Sequence, residues 1–474
     1  MENKNKNKIV FDPLYGFINL TQLEWEIIHT VYYQRLRWIK QIGFSFYTFP
    51  GAEHSRFGHS IGVMYNSHEI LKSIGKAVSD EELNDENNKS KAKIRHQSIR
   101  LAALLHDLGT FCFSHTTEMA YIRFGETTNQ KNSKGHPDDH EHLGSFIIKN
   151  TDFENGITFI LKKYGIDPQT ISDLVKGIAP DVLANQILHS EIDCDRMDYL
   201  LRDAHYTGLN YGNYDRDYLL HHFCTFESAG EDILAIKHNA LHCAEDFLNA
   251  RFAWYSQVVR SSRGAKYDAL AEEITFYLLE KGQIYSYSDL LDMVKNDASG
   301  FYGFNDQYFM TLIHKLHREK FFSKDKRMEE IVECVLFEKS PSTIRCEEFK
   351  QRILNQDDSG VNEKYYKKAL EKVKEIESVL NKIGDPGNWI VVDIPKKNIV
   401  FTKSKKRIIK DQENPNILLE RDPAKILNES GQVQLLVDVE NSIMAQVQNS
   451  YNFVPNVYCS DSALLALKEA KIID

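Results

Sequence analysis

Apolar residues follow a helical period through most of this chain. Leu101, Leu104, Leu105 and Leu108 fall at i, i+3, i+4 and i+7, which predicts a buried helix ending near His106 and Asp107, with Gly109 as its stop. Upstream, Ile61, Val63, Met64, Ile70, Leu71 and Ile74 predict a second helix, opened by Pro50-Gly51-Ala52-Glu53-His54-Ser55-Arg56. Downstream, Leu188, Ile192, Asp195, Tyr199 and Asp203 form one stripe that is apolar at its start and acidic towards its end. Helical patterns dominate to about residue 380. Residues 79–93 and 126–139 are polar interruptions that read as surface insertions. Period-2 and β-branched stretches mark the two ends of the chain. Ile9-Val10-Phe11, followed by a Pro-Leu-Tyr-Gly turn, predicts a short hairpin after a disordered tail at residues 1–8. Asp385-Pro386-Gly387-Asn388 is a boundary signal, and strand-like runs follow at 389–392, 399–401, 417–419 and 433–437 before a closing helix at 460–473. The expected fold is mostly α, with a helical domain over 9–385 and a smaller α+β C-terminal lobe over 386–474.

The polar residues inside these apolar patterns carry the chemistry. A buried carboxylate without a partner is costly. Adjacent helical side chains such as His106 and Asp107 point about 100° apart, so they converge only on something held between them. A divalent metal is such a target, because neutral imidazole and carboxylate both ligate first-row ions. Alone, the dipeptide is also compatible with an ordinary helix end. Together with His59 and Asp195 it makes a four-ligand set with room for water, whose pKa a metal lowers towards neutrality. Arg56 and Arg196 stand next to these residues in sequence and can supply positive charge. His115 is the best general acid, and Glu118 lies one helical turn on, where it can orient that imidazole.

Composition narrows the class. The chain has 474 residues, 42% hydrophobic and 27% charged, enough for a substantial core. No apolar run reaches membrane-spanning length, and MENKNKNK is neither a signal nor a transit peptide, so a cytoplasmic location is expected. Seven cysteines occur singly, without a Cys-x-x-Cys pair, which argues against a disulfide framework and a zinc ribbon. Cys112 and Cys194 read as small buried thiols beside the proposed site. A net charge of −10 argues against extended nucleic-acid binding. The basic cluster Lys403-Ser404-Lys405-Lys406-Arg407 reads as a solvated loop, with effector binding as its alternative.

The order His … His-Asp … Asp is the signature of HD-domain phosphohydrolases. Asp12-Pro13-Leu14-Tyr15-Gly16, the stretch from Gln34 to Gly43, PGAEHSRFGHS, Phe113-Ser114-His115 and the run from Asp195 to Asp203 extend the likeness. Over residues 8–270 the chain resembles the deoxynucleoside triphosphate triphosphohydrolases, the branch of the vertebrate sterile-alpha-motif/HD enzyme and the bacterial dNTPases. The resemblance implies hydrolysis of dNTPs to deoxynucleoside and tripolyphosphate by water attack on the α-phosphorus. A transition metal (Mn, Fe, Co, Ni or Zn) is implied on His59, His106, Asp107 and Asp195, with Mg on the nucleotide phosphates. His115, Glu118 and His140 match catalytic positions. Gln41, Ile42, Tyr199 and Asp203 match positions that hold base and sugar, beside Arg56, Arg196 and Thr110 around the phosphates. Asp12, Gln34, Arg37 and Arg251 fall where an activating nucleotide is held, and a homo-dimer or homo-tetramer is implied.

Three departures stand out. Thr110 replaces a family histidine, and Phe111-Cys112 replaces a Gly-Pro turn. His29 stands where the vertebrate enzyme reads a guanine activator with an aspartate. Val258-Val259-Arg260-Ser261-Ser262 lacks a histidine present in bacterial relatives. They keep two alternatives open: an HD phosphohydrolase or phosphodiesterase acting on another nucleotide, and a nucleotide-binding regulator whose catalysis has weakened.

Overall fold

A computed structural model describes residues 8–85, 87–128, 139–228, 230–355, 359–394, 399–402 and 423–473. The fold is mostly helical. At its centre the Arg56–Ser73 helix packs between the Lys91–Leu105 and Cys194–Thr207 helices. Ile99 and Leu101 through Leu105 are completely buried, so this helix end is enclosed on every side rather than amphipathic. The His115–Thr127 helix lies along Ala265–Glu280, which in turn packs on Lys326–Leu336.

The N-terminal hairpin pairs Lys8–Asp12 with Gly16–Leu20, Gly16 taking the left-handed turn position at φ 72°. Directly after it, Thr21 and Glu24 form a capping box. Glu24 is fully buried and also receives two hydrogen bonds from Arg100 (2.7 and 2.8 Å) and one from Gln97 (2.8 Å). One carboxylate thus starts a helix and ties it to the Lys91–Leu105 helix.

Small sheets serve the C-terminal region. Ile390–Asp393 pairs with Asn456–Cys459, and Ile399–Val400 with Ser450–Phe453. Val433–Leu435 pairs with Lys425–Leu427, and Asp461–Glu469 is the closing helix. The expected strand at 417–419 and the basic cluster at 403–407 lie outside the described residues, as do residues 1–7 and 129–138. A second hydrophobic core draws Ile344, Phe349, Ala369 and Ile376 together with Tyr451, Phe453, Val457 and Ala463, from either side of the 385–388 turn.

The hairpin Phe223–Ser228 with Glu231–Lys237 interrupts what reads in sequence as helix, and Ile236 then pairs in parallel with Ile426. Gly230, at φ 82°, makes its turn. Its strands are short and flanked by strong helical periodicity, which hid them. Among the described residues, no helix is long and apolar enough to cross a membrane.

Candidate metal centre and its cavity

Three helices bring two histidines and two aspartates to one point. His106 caps the Lys91–Leu105 helix, and its Nδ1 lies 2.8 Å from the Ala103 carbonyl. His59, on Arg56–Ser73, has its Nδ1 2.8 Å from Asp198 Oδ2. Both contacts place the ring proton on Nδ1 and leave Nε2 as a lone pair. Both Nε2 atoms are buried and lack a hydrogen-bond partner. Asp107 Oδ2 lies 3.7 Å from His59 Nε2 and 3.5 Å from His106 Nε2, and Asp195 Oδ1 lies 3.1 and 3.7 Å from the same atoms. Ligands about 2.0–2.2 Å from one ion stand roughly 3–3.5 Å from each other, so His59, His106 and Asp107 fit a single divalent cation, with Asp195 facing the same two imidazoles. Burial alone would lower the pKa of His59, but Asp195 and Asp198 hold it up at about 9. This pocket demands positive charge, which a proton or a metal can provide. The donor set suits Mn, Fe, Co, Ni or Zn.

Asp198 supports the centre from behind and was not singled out by sequence reasoning. It accepts from His59 and from Arg202 Nε (2.8 Å) and a second Arg202 nitrogen (2.9 Å), and Arg202 lies 3.0 Å from Asp12 Oδ2. A Cβ at Gly62 would collide with both Asp198 and Arg202, which is why glycine stands there. Asp198→Asn keeps the size but removes the charge that holds the His59 ring proton. Its metal affinity should fall about 10–100-fold, measured by competition with a chelator, with the ligands themselves intact.

The centre opens into a cavity of about 330 Å³. Gln41, Ile42, Arg56, His106, Asp107, His115, His140, Asp195, Tyr199 and Asp203 all line it. Arg56 donates to Asp107 Oδ2 (2.7 Å), Ser114 Oγ (2.9 Å) and the Gln41 carbonyl (3.1 Å). Burial would raise the Asp107 pKa, but Arg56, His106 and His59 hold it well below the usual carboxylate range. Asp203 accepts from His54 Nε2 at 2.7 Å while its Oδ2 and Gln41 Oε1 remain buried without partners, two acceptors for donors on a ligand. His54 thus fixes a cavity residue.

His115 opens its helix at the cavity rim, its Nδ1 2.6 Å from Glu118 Oε2, while Glu118 Oε1 accepts from the His140 backbone (2.8 Å) and from His140 Nδ1 (2.6 Å). Burial works against charge on both groups of the Glu118–His140 pair. Their mutual attraction prevails, lowering Glu118 well below the usual range and raising His140 to about 10.

Several expectations need correction. Leu188 and Ile192 do not share a helix with Asp195, because Asp193 caps a new helix at Cys194 through the Arg196 N–H. Gly109 is no left-handed stop. It lets the His140–Asn150 helix approach, since a Cβ there would strike the Gly144 nitrogen and the His140 carbonyl. Thr110 does not face the cavity: it is buried, its hydroxyl donates to the Asp107 carbonyl at 2.7 Å, and Arg35 binds its own carbonyl. Arg196 is turned to Asp193 and the Ser190 carbonyl instead of the cavity. The four residues expected to hold an activator each have partners within the chain. Asp12 is buried in the Arg202 network, and Gln34 accepts from Arg37, which lies 3.5 Å over the Phe57 ring. Arg251 is buried and donates to the carbonyls of Val400 (3.2 Å) and Phe401 (3.0 Å), joining its helix to the C-terminal strands.

Residues 56–203, which carry His59, His106, Asp107 and Asp195, match the HD domain family. The fold is similar to that of a phosphohydrolase from Bacteroides thetaiotaomicron, with a TM-score of 0.64 at 19% identity over 96% of this chain and 100% of that one. An uncharacterized protein of Bacillus subtilis is 31% identical over 256 residues, 54% of this chain and 52% of that protein. The human deoxynucleoside triphosphate triphosphohydrolase SAMHD1 is 28% identical over 233 residues, 44% of this chain and 34% of the human protein. The chain therefore spans about half the length of the Bacillus relative and a third of the human one.

Proposed function

We propose that this chain is a metal-dependent nucleotide phosphohydrolase, and that it cleaves deoxynucleoside triphosphates to deoxynucleoside and tripolyphosphate. The observation that carries this reading is the pair of orphaned imidazole nitrogens facing Asp107 and Asp195 at the floor of a cavity whose rim holds the His115–Glu118–His140 group. His59, His106, Asp107 and Asp195 would hold a divalent metal, which would supply Lewis acidity when bound. Arg56 adds fixed positive charge beside it, in a site where burial strengthens that charge. The neighbouring His140, kept protonated by Glu118, offers a second cation to the phosphates. Water attacks the α-phosphorus, the bond to the sugar O5′ breaks, and His115 gives that oxygen a proton while Glu118 orients the ring. Gln41 Oε1 and Asp203 Oδ2 accept from sugar hydroxyls, and Tyr199 packs alongside. Mg accompanies the phosphates of the substrate. The human relative's named activity supports the choice of substrate; the site chemistry by itself supports a nucleotide phosphoester.

Product analysis tests the reading. Purified protein with Mn²⁺ and Mg²⁺ is expected to convert dNTPs, singly or mixed, to deoxynucleoside and tripolyphosphate. A diphosphate product would move the attack to another phosphorus. Turnover confined to other nucleotides would retain the hydrolase and replace the substrate.

A further inference from the structure

Two carboxylates outside the 56–203 domain meet the cavity loops in the same way. Asp306, the first residue of the Asp306–Arg318 helix, accepts the Lys40 N–H at Oδ2 (2.8 Å) and the Phe113 N–H at Oδ1 (2.6 Å). Asp268, on Ala265–Glu280, accepts the Phe44 N–H (2.9 Å) and the Thr116 hydroxyl (2.7 Å), both at Oδ1. Each therefore joins loop 40–44, which carries Gln41 and Ile42, to loop 113–116, which carries His115. Neither is within ion-pair distance of a cation among the described residues. Burial pushes both up, to about 7 for Asp306 and about 6 for Asp268, even though the donors they accept from oppose it. Carboxylates kept at such a desolvation cost make weak stability devices.

What they hold is strained. Phe113 and Ser114 have φ of 52° and 59°, a region that non-glycine residues seldom adopt, and they immediately precede His115. The two loops also touch between the carboxylates. Phe44 and Phe113 stack at 4.0 Å, and Ser114 Oγ donates to the Lys40 carbonyl at 2.5 Å while accepting from Arg56. Gly43, at φ 51°, lies where any Cβ would strike Asp268 and Thr116, so the approach is built in.

We propose that Asp306 and Asp268 are positioning residues that lock the substrate-facing loop 40–44 to the catalytic loop 113–116, so that Gln41, Ile42 and His115 address one ligand in a fixed register. The claim rests on the hydrolase reading for its kinetic consequence, but not for its structural one. The full metal-loaded chain is compared with Asp306→Asn and with Asp268→Ala, because both bonds to Asp268 end on one oxygen that an asparagine would keep. An asparagine NH₂ cannot accept from an N–H, so Asp306→Asn breaks one of its two bridging bonds while keeping the shape. Amide hydrogen exchange at Lys40 and Phe113 should quicken together in Asp306→Asn, and in Asp268→Ala it should quicken at Phe44, whose N–H loses its acceptor, and in the 113–116 segment released with the Thr116 hydroxyl. Metal content should stay at the wild-type level. The kcat for dNTPs should fall about 10- to 100-fold, the scale expected when reacting groups are misplaced by an ångström. Ile331→Val, in a buried helix away from both loops, controls for plain destabilisation and should lower Tm without lowering kcat. Unchanged exchange in either loop, or quickened exchange with kcat within twofold of wild type, would overturn the proposal. A wild-type protein that hydrolyses no nucleotide would instead overturn the hydrolase reading, and the exchange measurement would then decide the clamp by itself.

Discussion

Asp107→Ala is expected to lose its bound metal and at least about 10³-fold in turnover, because several kcal/mol of transition-state stabilisation go with the cation. Two effects combine at this position. The carboxylate is one of two that face the orphaned imidazoles, within 3.5 and 3.7 Å of them. It is also the ion partner of Arg56, at 2.7 Å with both side chains almost completely buried. Removing it strands a buried guanidinium, a loss on the order of 3–5 kcal/mol when one partner of such a pair goes. Asp107→Asn separates the effects, since its carbonyl oxygen still accepts from Arg56. Metal analysis and thermal unfolding of the two variants give the check. Both should be metal-poor and inactive, and only the alanine variant should show a large drop in Tm. A fully active, metal-replete Asp107→Asn would remove the metal from the mechanism.

The central helices were legible because their signal is local. Leu101, Leu104, Leu105 and Leu108 announce a buried helix over two turns, and a His-Asp pair at the end of such a run, read with His59 and Asp195, points to a buried polar site. The sequence could not assign labour among neighbouring acids. Asp193, Asp195 and Asp198 lie within six residues, yet the first caps a helix, the second faces the imidazoles, and the third holds the ring of His59. Those roles depend on where the helix begins, and a continuous stripe from Leu188 concealed that start. Long-range partners were likewise invisible. Arg35 donates to the carbonyls of Leu108, Thr110 and Phe304, and Asp306 reaches back to Lys40 and Phe113, contacts that span up to 269 residues and leave no periodicity. Arg251 matches a binding position in sequence, but the strand at Val400 covers it and uses its donors.

His115→Ala should lower kcat about 10²–10⁴-fold with metal content unchanged, the range a positioned general acid supplies. The rim geometry makes this a test of catalysis more than of folding. The His115 side chain is 61% exposed, bonded to Glu118 and edge-on to the His140 ring at 5.2 Å, so its removal leaves no buried cavity. Glu118 is different, because it is buried and serves two imidazoles at once. Glu118→Gln should reduce kcat as well, and it should also cost stability in a pH-dependent way. In the folded wild type Glu118 raises His140 to about 10, whereas an unfolded chain returns it to the ordinary histidine value near 6.5. That stabilisation is complete below the unfolded value and fades as pH climbs through about 10, where the folded imidazolium also loses its proton. The Tm gap between wild type and Glu118→Gln should therefore be widest at or below neutrality and narrow between pH 8 and 10. A gap that widens with pH would mean that His140 is neutral in the native protein. His140 could not then lend positive charge to a phosphate, and Arg56 would be left as the cavity's one fixed cation among the described residues.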